Sequence, residues 1–523
     1  MTKIIILLIV LFNFIFISQN IQAFQQEYYK CSNYFEWIIK NKNYHLKYII
    51  FSIIIVLTLL FNELTKNNFY FVNIIMIITI LIQIGFIVFN KKELEMKKVI
   101  KTSRSMIIVM FASLLLLVEI YGLYLINNIF YFLMLLSLTN IITQINIMLA
   151  NIALIPIQKF INYIYIREAK KILEIRKDLI TIGITGSYGK TNTKFILETI
   201  LKEKYNIMIA PNSCNTLLGN VAAIRENLRR NHDVYIAEMS AQKNREIKKM
   251  CSIFKPKYGL ITSIDENQLK KIKKPASIIN NKYELIKSIS NDGAAFFPSN
   301  SKAALSLYEK TSIKKYIYGI NSQNKQLDVF ISKIKVNRYG TKFQLCYREK
   351  SIECSTELLG EYNLQNILAS VAIALELKLS LEEIKSGIAK LKTTKHHLQL
   401  ISNLNGTITL DNTLNNNPSC TKVALEVLTH FNSKKIIMTA GIMEVDDKDY
   451  EMNKELSYEI AKSLDMVILI DRKRTSAIFD GLCEAKFPKE KIYIASNIKD
   501  AMRKLKQISK PGDIILLESS FPD

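Results

Sequence analysis

Six residues carry the most legible chemistry in this chain. Gly186-Ser187-Tyr188-Gly189-Lys190-Thr191 follows an apolar run, Leu179 to Thr185, and precedes a helical stretch from Asn192 to about Leu201. In a strand, glycine loop, Lys-Thr and helix arrangement, backbone N–H groups and a helix N-terminus face phosphate oxygens, lysine adds a point charge and the hydroxyl meets magnesium. The six residues are therefore read as the seat of nucleotide phosphates, with Lys190 also catalytic and Thr191 also a metal ligand. The generic eight-residue signature wants glycine at position 184, where Ile184 stands. A chance glycine turn is the alternative, and the flanking strand and helix argue against it. Downstream, Val234-Tyr235-Ile236-Ala237 reads as a second buried strand ending in Glu238. An acid at that strand end, beside a phosphate loop, is placed to hold a metal. A solvated strand-terminal glutamate is equally common taken alone, and the position after the loop tips the balance towards metal.

The elements that must position these residues follow from periodicity. From about Lys177 short apolar runs alternate with charged helical segments, which reads as α/β with a largely parallel sheet. Residues 329–354 alternate apolar and polar around Tyr339-Gly340, predicting an antiparallel hairpin. After about Leu391 a second α/β pattern begins, with ITLDN, KKIIMTAG, DMVILID, KIYIAS and DIILLES as strands. The expected fold class is α/β, a P-loop central domain over 175–390 plus a C-terminal Rossmann-like domain over 391–523. An all-α transmembrane region over 1–160, of about five helices, precedes them.

That last expectation rests on apolar stretches at Ile4–Ser18, Tyr48–Phe61, Phe69–Phe89, Met106–Ile126 and Ile129–Ile157. A bilayer core needs about 20 apolar residues in a helix, so the last three are long enough and the first two are short. The first could instead be a secretory signal, but Gln19 to Ala23 lack a small-x-small site, which favours an uncleaved anchor. Lys30, Lys40, Lys42 and Lys47 fall in 19–47, only Lys66 in 62–68, and Lys91, Lys92, Lys97, Lys98, Lys101 and Arg104 in 90–105. The positive-inside rule puts 19–47 and 90–105 in the cytoplasm, together with everything after about Ile157. The expectation is a multi-pass cell-membrane protein whose catalytic domains are cytoplasmic, where ATP is available. Glu119 is the exceptional charge within the spans, so these helices read as an anchor in contact with membrane lipid, with a site for a lipid-linked substrate as the sharper alternative.

Composition excludes more than it assigns. The net charge is +24, yet the basic residues are spread along the chain with no arginine-rich run, so no nucleic-acid partner is expected. The 7 cysteines are scattered without a C-x-x-C pair, which disfavours zinc and a disulfide scaffold.

The loop TGSYGKTNTK resembles the T-G-[TS]-x-G-K-T-[TS] loop of the Mur ligase family, and the resemblance continues in order along the chain. Asn212-Ser213-Cys214-Asn215-Thr216 with Gly219 is similar to S-x-N-T-x-x-G. AEMSAQKNREI is similar to the segment that supplies a metal-binding glutamate, here Glu238, and ITSIDENQL to I-T-N-I-G-x-x-H-L. NNKYEL resembles the segment whose lysine is carried as a carbamate, which gives that catalytic and metal-binding role to Lys282. LLGEYNLQNILASVAIA resembles the linker near adenine, giving Asn363 and Asn366. LDNTLNNNPS and AGIMEV resemble segments of the branch that adds D-alanyl-D-alanine to UDP-N-acetylmuramoyl-tripeptide, and ESSFPD resembles the ending of a membrane-anchored version of that branch.

The resemblance implies an ATP-dependent carboxylate–amine ligase of peptidoglycan synthesis, using ATP and Mg2+. Its substrates would be a muramoyl-peptide or related wall precursor and an amino acid or dipeptide. It also assigns ATP contacts to His397, Asp411 and Asn412, and a metal-facing position to Gln268. Several residues depart from the family pattern. Gln268 replaces a histidine, His397 an arginine, Asn412 the second Asp of D-D and Leu414 a tyrosine, while Arg245 and Asp265 occupy glycine positions. The N-terminal domain that grips the UDP-sugar in soluble relatives is replaced by apolar spans. Two further readings stay open: a ligase for another wall polymer or lipid-linked precursor, and a non-catalytic nucleotide-binding relative that scaffolds other cell-wall enzymes.

Overall fold

The computed structural model describes residues 2–518 except 28, 66–68, 90–101, 126–130, 133–134, 137, 212–213, 242–243, 265–274, 321–326, 338–339, 394–397, 414–417 and 443–448. The chain divides into two units, Met1–Tyr163 and Ile164–Asp523.

The first unit is helical: α1 (Thr2–Gln26), α2 (Cys31–Lys40), α3 (Lys42–Thr65), α4 (Phe69–Phe89), α5 (Ser103–Tyr124) and the start of α6 (Thr139–Ile175). Among the described residues α1, α5 and α6 are long and apolar enough to cross a bilayer, and the bent pair α2 with the following helix supplies a fourth candidate. The helix α4 covers the whole of the apolar stretch expected at Phe69–Phe89. Leu7, Leu11, Ile53, Leu57, Met110, Leu114 and Val118 are exposed. Polar groups turn inward instead. Asn13 donates to Thr139 Oγ1 (3.0 Å) and accepts from Thr143 (2.9 Å), and Tyr34 of α2 donates to Asn20 (2.9 Å). Asn146 donates to Glu119 (3.1 Å), so the acid noted in the sequence is a helix-packing partner here. The first helix runs eight residues past the expected end at Ser18 because its polar residues are buried by such contacts. The last long helix is described from Thr139, and the expected start of that span at Ile129 lies outside the described residues.

The second unit contains two sheets. In the first, β1 (Ile180–Thr185), β2 (Ile207–Ile209), β3 (Val234–Glu238), β4 (Tyr258–Ile261), β5 (Ala294–Pro298) and β6 (Lys314–Ile320) are followed by β7 (Val329–Asn337), β8 (Gly340–Tyr347) and β9 (Lys350–Thr356), in the order β2-β3-β1-β4-β5-β6-β7-β8-β9. Pairing is parallel through β7 and antiparallel from β7 to β9. The expected hairpin is therefore a three-stranded meander whose second turn lies at Arg348; the expected apex residue Tyr339 lies outside the described residues. Helices α7 (Lys190–Leu201), α8 (Leu217–Asn227), α9 (Glu246–Phe254), α10 (Pro275–Lys287), α11 (Lys302–Lys310), α12 (Glu361–Glu376) and α13 (Leu381–Ala389) join and cover the strands. The β1 run ITIGIT has five of its six residues buried, as a strand covered on both faces requires. On one face Ile196, Leu197, Ile200 and Leu201 of α7 pack with Leu364, Ile367, Leu368 and Val371 of α12 over Ile182 and Ile236. The other face buries Tyr235, Ala237, Met250 and Leu285, joined by Ala169 near the end of α6. Glu168 also pairs with Arg225 (2.6 Å), so the last turns of α6 are part of the second unit.

The second sheet runs β10 (Gln399–Ser402), β11 (Ile408–Asn412), β15 (Ile514–Glu518), β12 (Lys435–Thr439), β13 (Met466–Ile470) and β14 (Ile492–Ala495), all parallel except the edge strand β10. All five strands expected after Leu391 are present, and the antiparallel β10 is an addition.

Candidate active site

The site forms where chain order reverses across the first sheet. From β1 the chain goes to β2 and β3 on one side and then returns to β4 on the other, which opens a crevice at the strands' C-terminal ends. Register brings Ile184 beside Glu238 and Thr185 beside Ile261, so the loop after β1, the acid ending β3 and Thr262-Ser263 after β4 meet.

Close contacts shape the loop. Ser187 N–H donates to the Ser263 carbonyl (3.0 Å) and Tyr188 N–H to Ser263 Oγ (2.9 Å), while Thr262 Oγ1 and Ser263 Oγ donate to the Tyr188 carbonyl (2.6 and 2.8 Å). A Cβ at Gly186 would lie 2.1 Å from Thr262 Oγ1 and 3.0 Å from Ser263 N, so the strand-to-loop turn has room only for glycine. Gly189 caps α7 at φ +82°, in the left-handed region, with Asn366 Oδ1 only 2.7 Å from where a Cβ would stand.

Charge gathers around Glu238. Its carboxylate accepts from Thr191 Oγ1 (2.9 and 3.0 Å) and Asn215 Nδ2 (3.3 Å), and Lys194 Nζ lies 3.3 Å away with both partners essentially inaccessible to solvent. Lys194 also donates to the Ala210 carbonyl (3.0 Å). Asn220 donates to the Glu238 carbonyl (2.9 Å) and accepts from Tyr235 OH (2.7 Å), which fixes the strand end. Lys190 Nζ bends over the loop to the carbonyls of Gly186 (2.9 Å) and Ser187 (3.3 Å). Burial lowers its pKa, and Glu238 pulls in the opposite direction. The amine of Lys282, in α10, is lowered to about 8, first by burial and then by repulsion from Lys190. The lysine expected to carry a carbamate therefore lies within electrostatic reach of the loop lysine.

Thr191 and Glu238 offer hard oxygen atoms side by side, which suits magnesium. Among the described residues no cluster of three or more His, Cys, Asp or Glu could hold a metal. Magnesium commonly takes one or two carboxylates and completes its shell with phosphate oxygens and water, so this donor set fits. Asn366 fits a nucleotide beside the loop: its Oδ1 accepts from Thr193 (3.1 Å), while its buried Nδ2 makes no hydrogen bond. Asn363 donates to the Leu359 carbonyl (2.8 Å) and braces the entry to α12. Tyr188 packs against Tyr362, ring centroids 5.8 Å apart, which ties the loop to the same helix.

Asp411 and Asn412 belong to the second sheet. Asp411, next to last in β11, accepts from Thr413 N–H and Oγ1 (3.1 and 2.7 Å). Asn412 donates to both oxygens of buried Glu518 (3.1 and 2.9 Å), which also accepts from Thr421 (2.8 Å). These hydrogen bonds lie within the second sheet and its helix. Gln268 and His397 lie outside the described residues. Sequence reasoning missed Lys194 as the buried counter-charge of Glu238. The signal was its spacing, one helical turn after Lys190, on the face that α7 buries.

The sequence matches the Mur ligase middle domain over residues 184–374 and the Mur ligase glutamate ligase domain over 397–521, together more than half of the chain. It is 28% identical over 282 residues to a UDP-N-acetylmuramoyl-tripeptide–D-alanyl-D-alanine ligase of Buchnera aphidicola, covering 54% of this chain and 61% of the relative. With the enzyme of the same name from Bacillus subtilis it shares 24% identity over 346 residues, covering 65% and 72%. The structure superposes on MurF from Acinetobacter baumannii with a TM-score of 0.59 at 26% identity, over 69% of this chain and 77% of that one. The alignment thus spans about three fifths of the Buchnera relative's length. With the phosphate loop, the strand-end glutamate and both α/β sheets in place, the chain belongs to the Mur ligase family of ATP-dependent ligases.

Proposed function

We propose that this chain is a membrane-anchored, ATP-dependent ligase that joins D-alanyl-D-alanine to a muramoyl-peptide wall precursor through an acyl phosphate. The observation that carries the reading is the meeting of Lys190, Thr191, Lys194 and Glu238 at one glycine loop, with Lys282 in electrostatic reach of Lys190, inside a family of ligases.

In the first step a substrate carboxylate oxygen attacks the γ-phosphorus of ATP, and the bond to the β–γ bridging oxygen breaks to release ADP. In the second the dipeptide's amine attacks the acyl carbon, inorganic phosphate leaves and the nitrogen loses a proton. Phosphoryl transfer needs positioning and charge neutralisation rather than a covalent partner from the protein. Lys190 supplies a cation over the loop, and the N-terminus of α7 orients the phosphates, while the Ser187 and Tyr188 N–H groups hold the loop to Ser263. Thr191 and Glu238 would hold magnesium, which supplies further neutralisation of the transferred group. Lys194 pairs with Glu238 and fixes its carboxylate. Asn366, from the segment 360–376 that flanks the loop, offers an amide donor to the nucleotide, and by family resemblance Asn363, His397, Asp411 and Asn412 complete its surroundings. A carbamate on Lys282 would exchange a cation that repels Lys190 for an anion that attracts it and serves the metal with Gln268. The reading assigns 175–390 to nucleotide binding and 391–523 to closing over it. It gives 1–160 the role of anchor, supported by outward apolar side chains and inward polar pairs.

Phosphate release by full-length protein in detergent, with ATP, UDP-muramoyl-tripeptide and D-alanyl-D-alanine, tests this reading. Release should require both substrates and fall by about a hundredfold or more in Lys190→Ala, the scale for loss of one preorganised charge contact. Nucleotide binding without release would move the chain to the scaffold reading, and release with a different amine would identify another wall ligase.

A further inference from the structure

Among the described residues of 1–163, one buried donor of a cation, Arg104 Nε, has no partner. Arg104, in the first turn of α5, donates to Asn151 Oδ1 (2.9 Å), and its guanidinium carbon lies 4.1 Å from the centroid of the Tyr29 ring. Asn151 is buried; its amide donates to the Tyr29 carbonyl (3.2 Å) and lies 3.8 Å from Cys31 Sγ. Tyr29 OH lies 3.4 Å from Thr102 Oγ1. Ring and amide thus hold the guanidinium in place, yet its buried Nε makes no hydrogen bond, and no carboxylate pairs with it among the described residues. Leaving a buried donor of a charged group unmatched is costly, and the planar fork fits phosphate oxygens.

Depth in the bilayer points to the same ligand. The distribution of lysines puts Tyr29, Arg104 and the end of the last span on the cytoplasmic side, and these are the segments that meet here. Next in the chain after Tyr29, α2 is bent by 75° from the helix that follows it. It buries Tyr34, exposes Phe35 and Ile39, and ends in Lys40, the arrangement of a helix lying in a membrane interface. Lipid phosphates lie at that level.

We propose that Arg104, with Tyr29 and Asn151, seats the phosphate of an anionic membrane lipid at the cytoplasmic face of residues 1–163. This rests on the membrane reading given above. An arginine that merely extends into water would need neither the buried Asn151 nor a buried Nε.

The test uses the full chain in nanodiscs of phosphatidylcholine with a minority of phosphatidylglycerol, followed by native mass spectrometry of the lipid retained after detergent extraction. The wild-type chain should keep phosphatidylglycerol and not phosphatidylcholine. Arg104→Gln should keep roughly tenfold less, and Arg104→Lys, which retains charge but not the fork, an intermediate amount. Millimolar inorganic phosphate should not displace the lipid. Equal retention by wild type and Arg104→Gln, or displacement by inorganic phosphate, would overturn the proposal. Unchanged resistance of residues 1–163 to limited proteolysis in the nanodisc reports that each variant is folded there, and Arg104→Lys carries the test if Arg104→Gln is not. Alkaline extraction of membranes separates the two ideas. A chain that washes off sinks the anchor and the lipid site together, whereas a retained Arg104→Gln with full lipid retention sinks only the lipid site.

Discussion

Glu238 and Lys194 define the chemistry of the site at the scale of single residues. Neither side chain reaches solvent, and each is the other's buried counter-charge at 3.3 Å. Lys194→Met would strand the carboxylate, and the second unit should lose about 3 kcal/mol of stability, the usual consequence of removing one partner of a buried pair. Chemical unfolding checks this, with Lys194→Met combined with Glu238→Gln expected to recover most of the loss. Lys282 makes a different prediction. Its amine reacts with carbon dioxide only when neutral, and burial together with Lys190 brings that form into reach near pH 8 instead of above 10. Below pH 8 the amine is protonated and inert; above it the neutral amine accumulates. Bicarbonate should therefore stimulate ATP turnover more at about pH 8.5 than at about pH 6.5, and Lys282→Arg should abolish the stimulation. An equal response in Lys282→Arg would contradict the role given to Lys282.

Elements explain why some of the site was legible and some was not. The phosphate loop could be read because its glycines answer to local geometry: Gly186 has no room for a Cβ and Gly189 is left-handed. Lys194 could not, since a lysine's burial depends on which strand end faces it, and that is decided by sheet order. The second turn of the meander was invisible for a related reason. Arg348 takes φ +53° there, without the glycine or asparagine that signals such a turn. Arg245, at a family glycine position, adopts φ +67° as the N-cap of α9, so this backbone conformation is kept without the residue that suits it. Arg245→Gly should stabilise the second unit by about 1 kcal/mol, measured as a higher unfolding midpoint with nucleotide binding unchanged. A lower midpoint would show that the arginine side chain offsets the backbone cost.

The two units of the molecule present opposite surfaces. Residues 1–163 expose apolar side chains and bury amides, while residues 164–523 enclose apolar cores between strands and helices. The span reading found the apolar stretches but cut α1 short at its polar residues, because partners such as Tyr34 for Asn20 are contributed by other helices. On this account the ligase works beside a membrane that also supplies an anionic lipid. Ligation by this route passes through an acyl phosphate, and oxygen transfer reads that intermediate out. A muramoyl-tripeptide carrying 18O in the acceptor carboxylate, incubated with ATP, D-alanyl-D-alanine and full-length protein, should yield inorganic phosphate bearing one labelled oxygen for each amide formed. Amide formation with unlabelled phosphate would contradict the account.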